Sequence, residues 1–263
     1  MIDGKTRLFG IVADPIAQVR TPEAINHILQ ERSINGVLVP FHVTASDLET
    51  FFQGARAIKN LGGFVVTVPH KQRAADLCDE VSDAAKLVGA VNVVRRGEDG
   101  RLIGDILDGK GFVAGLQSHG INPQGKRILL LGAGGAANAI AFALAGAGVK
   151  LLGIANRTET KVEDLIARLH QLHPDLDARL TKADATGFDI VVNATALGMA
   201  QQDPLPMDIT TLTDHHCVAE IIMKPEVTPL LAAAQRIGCQ VHYGWPMLSS
   251  QAPLMAAFMG VEG

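Results

Sequence analysis

Short apolar runs alternate along the chain with stretches of helical period. Runs at 8–13, 37–43 and 64–68 predict strands, the last ended by Pro69. Pro22 opens a helical pattern through Ile25, Ile28 and Leu29, and Phe51, Ala55 and Ile58 carry another. Further on come runs at 128–131, 150–155, 190–193 and 218–222, each read as a strand followed by a helix-like segment. Residues 247–258 read as an amphipathic helix. Strands alternating with helices predict an α/β protein with parallel sheets. The apolar run 91–94 leads into a charged, glycine-containing stretch at 95–101, and a new helical pattern starts near Asp108. A break is therefore expected near residue 107, with a first domain over 1–107 and a second over 108–244.

Composition narrows the class. The chain has 263 residues, 48% hydrophobic, enough for a sizeable core. A net charge of −4 and only 4% aromatic residues argue against nucleic-acid binding, which needs a basic footprint or stacking platforms. Three scattered cysteines, Cys78, Cys217 and Cys239, make no disulfide framework and point to a reducing compartment. The start lacks an apolar signal core. The uncharged stretch 128–149 is broken by a glycine turn and reads as strand, turn and helix rather than a membrane span. The expectation is a soluble cytoplasmic protein, monomer or homodimer, with a small-molecule substrate and neither a membrane nor a nucleic acid as partner. His170/His173 and His215/His216 lack metal-site spacing.

Chemistry enters at Gly132, Ala133, Gly134, Gly135, Ala136 and Ala137, a GxGxxA turn between a strand and a helix. Gly132 allows the tight turn, Gly134 lets backbone approach a pyrophosphate, and Ala137 permits close helix–strand packing. The helix N-terminus then offers free N–H groups to phosphates. A glycine-rich turn without a ligand is the bland alternative; the strand–turn–helix context favours a dinucleotide. The next strand ends at Asn156, Arg157 and Thr158. Arg157, with Lys161 one turn on, suits the 2′-phosphate of NADP; Glu159 suits the ribose hydroxyls of NAD and repels a phosphate. NAD and NADP both stand, with the balance tilted slightly to NAD.

Seven segments then fall into one order. They are Pro15-Ile16-Ala17-Gln18-Val19-Arg20-Thr21-Pro22, Val66-Thr67-Val68-Pro69-His70-Lys71, Gly89-Ala90-Val91-Asn92, residues 104–112 around Asp108, residues 193–199, Thr228-Pro229-Leu230-Leu231, and residues 244–251. In this order and spacing the chain resembles the shikimate/quinate 5-dehydrogenase family nearly end to end. The resemblance implies an N-terminal α/β substrate domain, a Rossmann-type dinucleotide-binding domain, and a C-terminal helix, 245–263, returning to the first. It implies Lys71 and Asp108 as the catalytic pair, moving a proton to and from a secondary hydroxyl while a hydride passes to or from NAD(P). Taken singly, Lys71 reads as a surface lysine and Asp108 as a helix cap. By the same resemblance Thr21, Thr67, Asn92 and Gln251 contact substrate, and Asn193, Thr195, Gly198 and Gly244 belong to segments flanking the cofactor. Where relatives carry hydroxyl donors for the substrate carboxylate, this chain has Val19 and Met223, with Thr21 keeping a hydroxyl. The resemblance is thus to a divergent paralogue with weakened shikimate activity. Arg20 or His70 are candidates to compensate. A catalytically silent dinucleotide-binding protein and a folate-linked oxidoreductase are the competing readings; intact Lys71, Asp108 and Asn92 speak against the first, and residues 244–251 against the second.

Overall fold

The computed structural model describes residues 2–261. The chain divides into two compact units, one running up to Leu107 and resuming at Gln251, the other spanning Asp108–Ser250.

The first unit holds β1 (Arg7–Ala13), α1 (Thr21–Glu31), β2 (Gly36–His42), α2 (Leu48–Ala57), β3 (Leu61–Val66), α3 (Lys71–Leu77), β4 (Glu80–Val81), α4 (Asp83–Val88), β5 (Val93–Arg96) and β6 (Leu102–Asp105). Its sheet order is β2-β1-β3-β5-β6-β4. This sheet is mixed, not parallel as expected: β5 runs antiparallel to β3 and to β6. The charged stretch read as an approach to a domain break is in fact a hairpin turn. Gly97 N–H bonds Arg101 O at 2.8 Å, and Gly100 takes φ +86°. The run at 64–68 is shifted: β3 begins at Leu61 and stops at Val66, and Val68 is 63% exposed beyond it. Pro22 sits in the first turn of α1, where its missing N–H costs nothing, and Ile25 and Leu29 face the core.

The second unit holds α5 (Asp108–Ser118), β7 (Arg127–Leu131), α6 (Gly135–Gly146), β8 (Leu151–Ala155), α7 (Glu159–Leu172), β9 (Asp177–Leu180), β10 (Ile190–Asn193), a 3₁₀ turn (Ile209–Thr211), β11 (Cys217–Glu220), α8 (Pro229–Ile237), β12 (Gln240–His242) and the start of α9 (Trp245–Phe258). Its six strands are all parallel in the order β12-β11-β10-β7-β8-β9. That is the doubly wound Rossmann order, with its switch point between β7 and β10. Two sequence readings need correction. The segment after β10 crosses to β11 by loop and 3₁₀ turn, with no α-helix between. The strand read at 218–222 ends at Glu220, whose carboxylate takes the next two N–H groups and so turns the chain.

From Gln251 on, α9 belongs to the first unit, where Ala252, Met255, Ala256 and Met259 join Phe9, Ile11, Ile25 and Leu29 in one apolar core. The helix stops at Phe258, short of the 245–263 span expected, and residues 262–263 lie outside the described residues. No helix of the described residues is long and apolar enough to cross a membrane.

Candidate active site

In the first unit, the substrate-side residues gather at one end of the sheet. β1 and β3 are parallel neighbours with Val12 opposite Val66, so both strands deliver their following loops to the same edge. The loops are stitched together: Thr67 N–H donates to Val12 O at 3.1 Å, and Asp14 N–H to Val68 O at 3.2 Å. β5 runs back from this edge, which brings Asn92, just before it, alongside; Val66 N–H donates to Asn92 O at 2.8 Å. Lys71 opens α3 and its carbonyl accepts from Val91 N–H at 2.9 Å. Thr67, Lys71 and Asn92 therefore share one rim. Asn92 is buried, and its Oδ1 accepts Leu107 N–H at 2.8 Å, so its side chain fixes the residue that precedes Asp108. Asp108 is buried as the first residue of α5, and Gln251 is buried on α9.

Neither candidate compensator is uncommitted. His70 is buried, and its Nε2–H donates to Val43 O at 2.8 Å. Arg20 forms an ion pair with Glu23 at 2.8 Å. Val19 packs with Ile16 on the apolar core of this unit, and Gln18 donates back to Pro15 O. Thr21 is buried at the first position of α1. Met223, in the other unit, is 40% exposed.

The second unit carries a cleft of about 700 Å³ at the carboxyl ends of β7 and β8. Gly132, Ala133, Gly134, Asn156, Arg157, Thr158, Glu159 and Thr195 line it; Gly135, Ala136, Asn193 and Gly244 do not. Gly132 has φ +111°, and a β-carbon there would meet Ala194 O at 3.0 Å, so the turn requires glycine. Gly134 caps α6, and a β-carbon on it would meet no protein atom within 4 Å. Its backbone therefore faces the open cleft, next to the first N–H groups of α6, where a pyrophosphate fits. Thr158 stands at the N-cap of α7 and Glu159 begins its first turn, while Asn156 Nδ2 donates to Thr158 O. The lining suits the adenosine and pyrophosphate of a dinucleotide.

Two features escaped the sequence reading. Lys182, just past β9, also lines the cleft. The other is a buried network under the loop that bears Thr195 and Leu197. Asn193 Nδ2 donates to Leu197 O at 3.1 Å and to Glu220 Oε2 at 2.9 Å, and its Oδ1 accepts the N–H and hydroxyl of Thr195. Every donor and acceptor of that amide is used inside the protein, so it holds the loop rather than a ligand. Glu220 also accepts from Thr228 Oγ1 and from the N–H groups of Ile221 and Ile222. Burial pushes its carboxyl up, against these four donors that pull it down. Gly244 serves packing: a β-carbon there would fall 2.3 Å from Ile222 O.

Comparison with known proteins places this geometry. Residues 11–94 match the model of the shikimate dehydrogenase substrate binding domain, and residues 116–200 that of shikimate / quinate 5-dehydrogenase. A shikimate dehydrogenase (NADP(+)) of Rubrobacter xylanophilus is 39% identical over 99% of this chain and 90% of its own. The crystal structure of Listeria monocytogenes shikimate 5-dehydrogenase with shikimate and NAD superposes at TM-score 0.92, 32% identical, covering 99% of this chain and 94% of that one. The ligand-free 5-ketofructose reductase of a Gluconobacter strain superposes at 0.89, 33% identical, covering 99% and 95%. With the Rossmann order, the glycine turn and the Asn92–Leu107 junction all in place, the chain belongs to the shikimate/quinate dehydrogenase family, NAD(P)-dependent oxidoreductases acting on a CH–OH group.

Proposed function

We propose that the chain interconverts a secondary hydroxyl and a ketone on a polyhydroxylated ring of the shikimate and quinate class, using NADP(H). The first unit takes the substrate and the second the cofactor. The observation that carries the reading is the cleft in which the Gly132 turn and the residues 156–159 share one lining. The cofactor, when bound, supplies or accepts the hydride. This chain's own residues handle the proton: Lys71 Nζ takes it from the reacting hydroxyl in oxidation and returns it in reduction, and the Asp108 carboxylate holds the ammonium in place. Asn92, Thr67, Thr21 and Gln251 orient the ring. Arg157 and Lys161 in the lining outweigh Glu159 and favour the phosphorylated cofactor over NAD; the curated relatives named for NADP(+) agree. The three cysteines are free, in keeping with a cytoplasmic enzyme.

A second reading has its own support. Val19 is packed on apolar residues, Arg20 is paired with Glu23 and His70 with Val43 O, so the carboxylate of a ring acid finds few donors at this rim. An uncharged polyol or ketose suits it better, and ketofructose, for which one structural relative is named, carries no carboxylate. Steady-state assays of shikimate, quinate, amino-substituted analogues and 5-ketofructose, each with NAD and NADP, decide between the two. Lys71→Ala is expected to lower kcat about 10²-fold or more while leaving cofactor Kd within about twofold. A Lys71→Ala enzyme with near-normal kcat on the best substrate overturns the proton assignment, and no turnover on any of them overturns the function.

A further inference from the structure

We propose that Lys182 is a specificity-determining residue: its ammonium joins Arg157 and Lys161 in seating the 2′-phosphate of a phosphorylated dinucleotide. The proposal rests on the dinucleotide reading of the second-unit cleft. Nothing in the local sequence marks Lys182, which follows a short polar strand. Topology makes the site. β9 is the edge strand of the sheet and runs parallel to β8, with Leu180 opposite Ile154. Thr181 N–H donates to Ile154 O at 3.0 Å, so the pairing reaches the point where both strands end. Beyond it β8 delivers Asn156, Arg157 and Thr158, β9 delivers Thr181, Lys182 and Ala183, and all six line one cleft.

The charges in that lining are unequal. Arg157, Lys161 and Lys182 face a single carboxylate, Glu159. The next carboxylate along the chain, Asp184, accepts Thr186 N–H at 2.7 Å, and its carboxyl is held below the usual range chiefly by Thr186 and to a smaller extent by the Lys182 charge. Lys182 is exposed and, among the described residues, forms no ion pair. A neutral ribose gains little from a third cation, whereas a phosphate near −2 charge gains directly. Because the lysine is solvated, the gain is modest: about five- to tenfold in affinity.

The test is calorimetric titration of the full chain, wild type, Lys182→Gln and Lys182→Arg, with NADP+, NAD+, 2′,5′-ADP and 5′-AMP at low and high salt. Lys182→Gln is expected to weaken NADP+ and 2′,5′-ADP about five- to tenfold, leave NAD+ and 5′-AMP within about twofold, and flatten the salt dependence; Lys182→Arg restores most of the loss. Equal losses on phosphorylated and unphosphorylated ligands, or none, overturn the role of Lys182 alone. A wild type with no preference for the 2′-phosphorylated pair overturns the phosphate seat and leaves the dinucleotide cleft standing. A wild type that binds none of the four overturns the cleft reading itself.

Discussion

Replacing Asn193 by alanine tests the buried network that shapes the cofactor loop. The amide makes four hydrogen bonds, one of them to the Glu220 carboxylate. Losing the bond to Glu220 costs about 1.5–3 kcal/mol at a pH where that carboxyl is ionised, and each neutral bond about 1 kcal/mol where water does not replace it. Thr195 and Leu197 line the open cleft and regain some water, so the sum is about 3–4 kcal/mol. In a unit of this size, each kcal/mol lowers Tm by about 2–4 °C, giving a drop of about 6–16 °C. The deficit also carries a pH sign. Burial raises the Glu220 carboxyl, so the folded state keeps its proton where the unfolded chain has lost it. Stability from this group is therefore lost as pH rises above the ordinary carboxylate range, and the Asn193 donor offsets part of that loss. Without it the deficit is larger near pH 7.5 than near pH 5. Urea unfolding at both pH values, with dinucleotide titration alongside, reads both effects. A deficit below about 1 kcal/mol, or one equal at the two pH values, refutes the reasoning.

Glu159→Gln removes the one carboxylate from the cleft lining and should raise the NADP/NAD ratio of kcat/KM; an unchanged ratio places Glu159 in solvent. Val19→Ser with Met223→Tyr should recover part of an about 10²–10⁴-fold deficit on shikimate, mainly through KM, since each donor to a carboxylate is worth about 1.5–3 kcal/mol. Wild-type efficiency equal to that of an ordinary shikimate dehydrogenase, or a folded double variant that gains nothing, contradicts it. His242 is 2% exposed, edge-on to Phe112 and His119, and burial chiefly, with the His119 charge, pushes it down to about 4 from 6.5. The unfolded chain takes that proton first, so stability is unaffected above pH 6.5 and falls as pH drops toward 4, by about 3 kcal/mol in all. His242→Phe should flatten that acid limb in thermal unfolding; an identical limb would rule out His242 as its source.

Legibility followed burial. Ile190–Asn193 and Arg127–Leu131 are central strands covered on both faces, so they read as continuous apolar runs. β9, at the edge and mostly exposed, has the composition of a loop, and the β5–β6 hairpin hides in a charged stretch because Arg95 is exposed and Arg96 only half-buried at the end of β5. Pairing direction was not legible either: alternation of strands and helices predicts parallel sheets, yet β5 runs antiparallel to β3, and a short turn at 97–100 sends β6 back antiparallel to β5.

The site divides by the same logic. The glycine turn shows in the sequence because its chemistry is local: one positive φ and one helix start, both within six residues. Glu220 and Lys182 do not show, because each acquires its role from a strand neighbour far along the chain. Glu220 meets Asn193 only because β10 and β11 pair with Asn193 opposite Glu220, and Lys182 meets Arg157 only because β9 follows β8 to its end. The family resemblance supplied Lys71, Asn92 and Asp108 but not the reason they hold their places. For Lys71 and Asn92 that reason lies in hydrogen bonds to backbone: Val91 N–H on Lys71 O and Leu107 N–H on the Asn92 amide tie these two to one rim beside β3 and fix Leu107, the residue before Asp108. Val19 packs its side chain on the apolar core that also holds Val65, Val93 and Leu107. The residues proposed to handle the hydroxyl are thus held by backbone bonds at the rim of the sheet, whereas Val19 lies in the loop that follows β1. A change at Val19 alters a contact with that core and leaves those backbone hydrogen bonds in place.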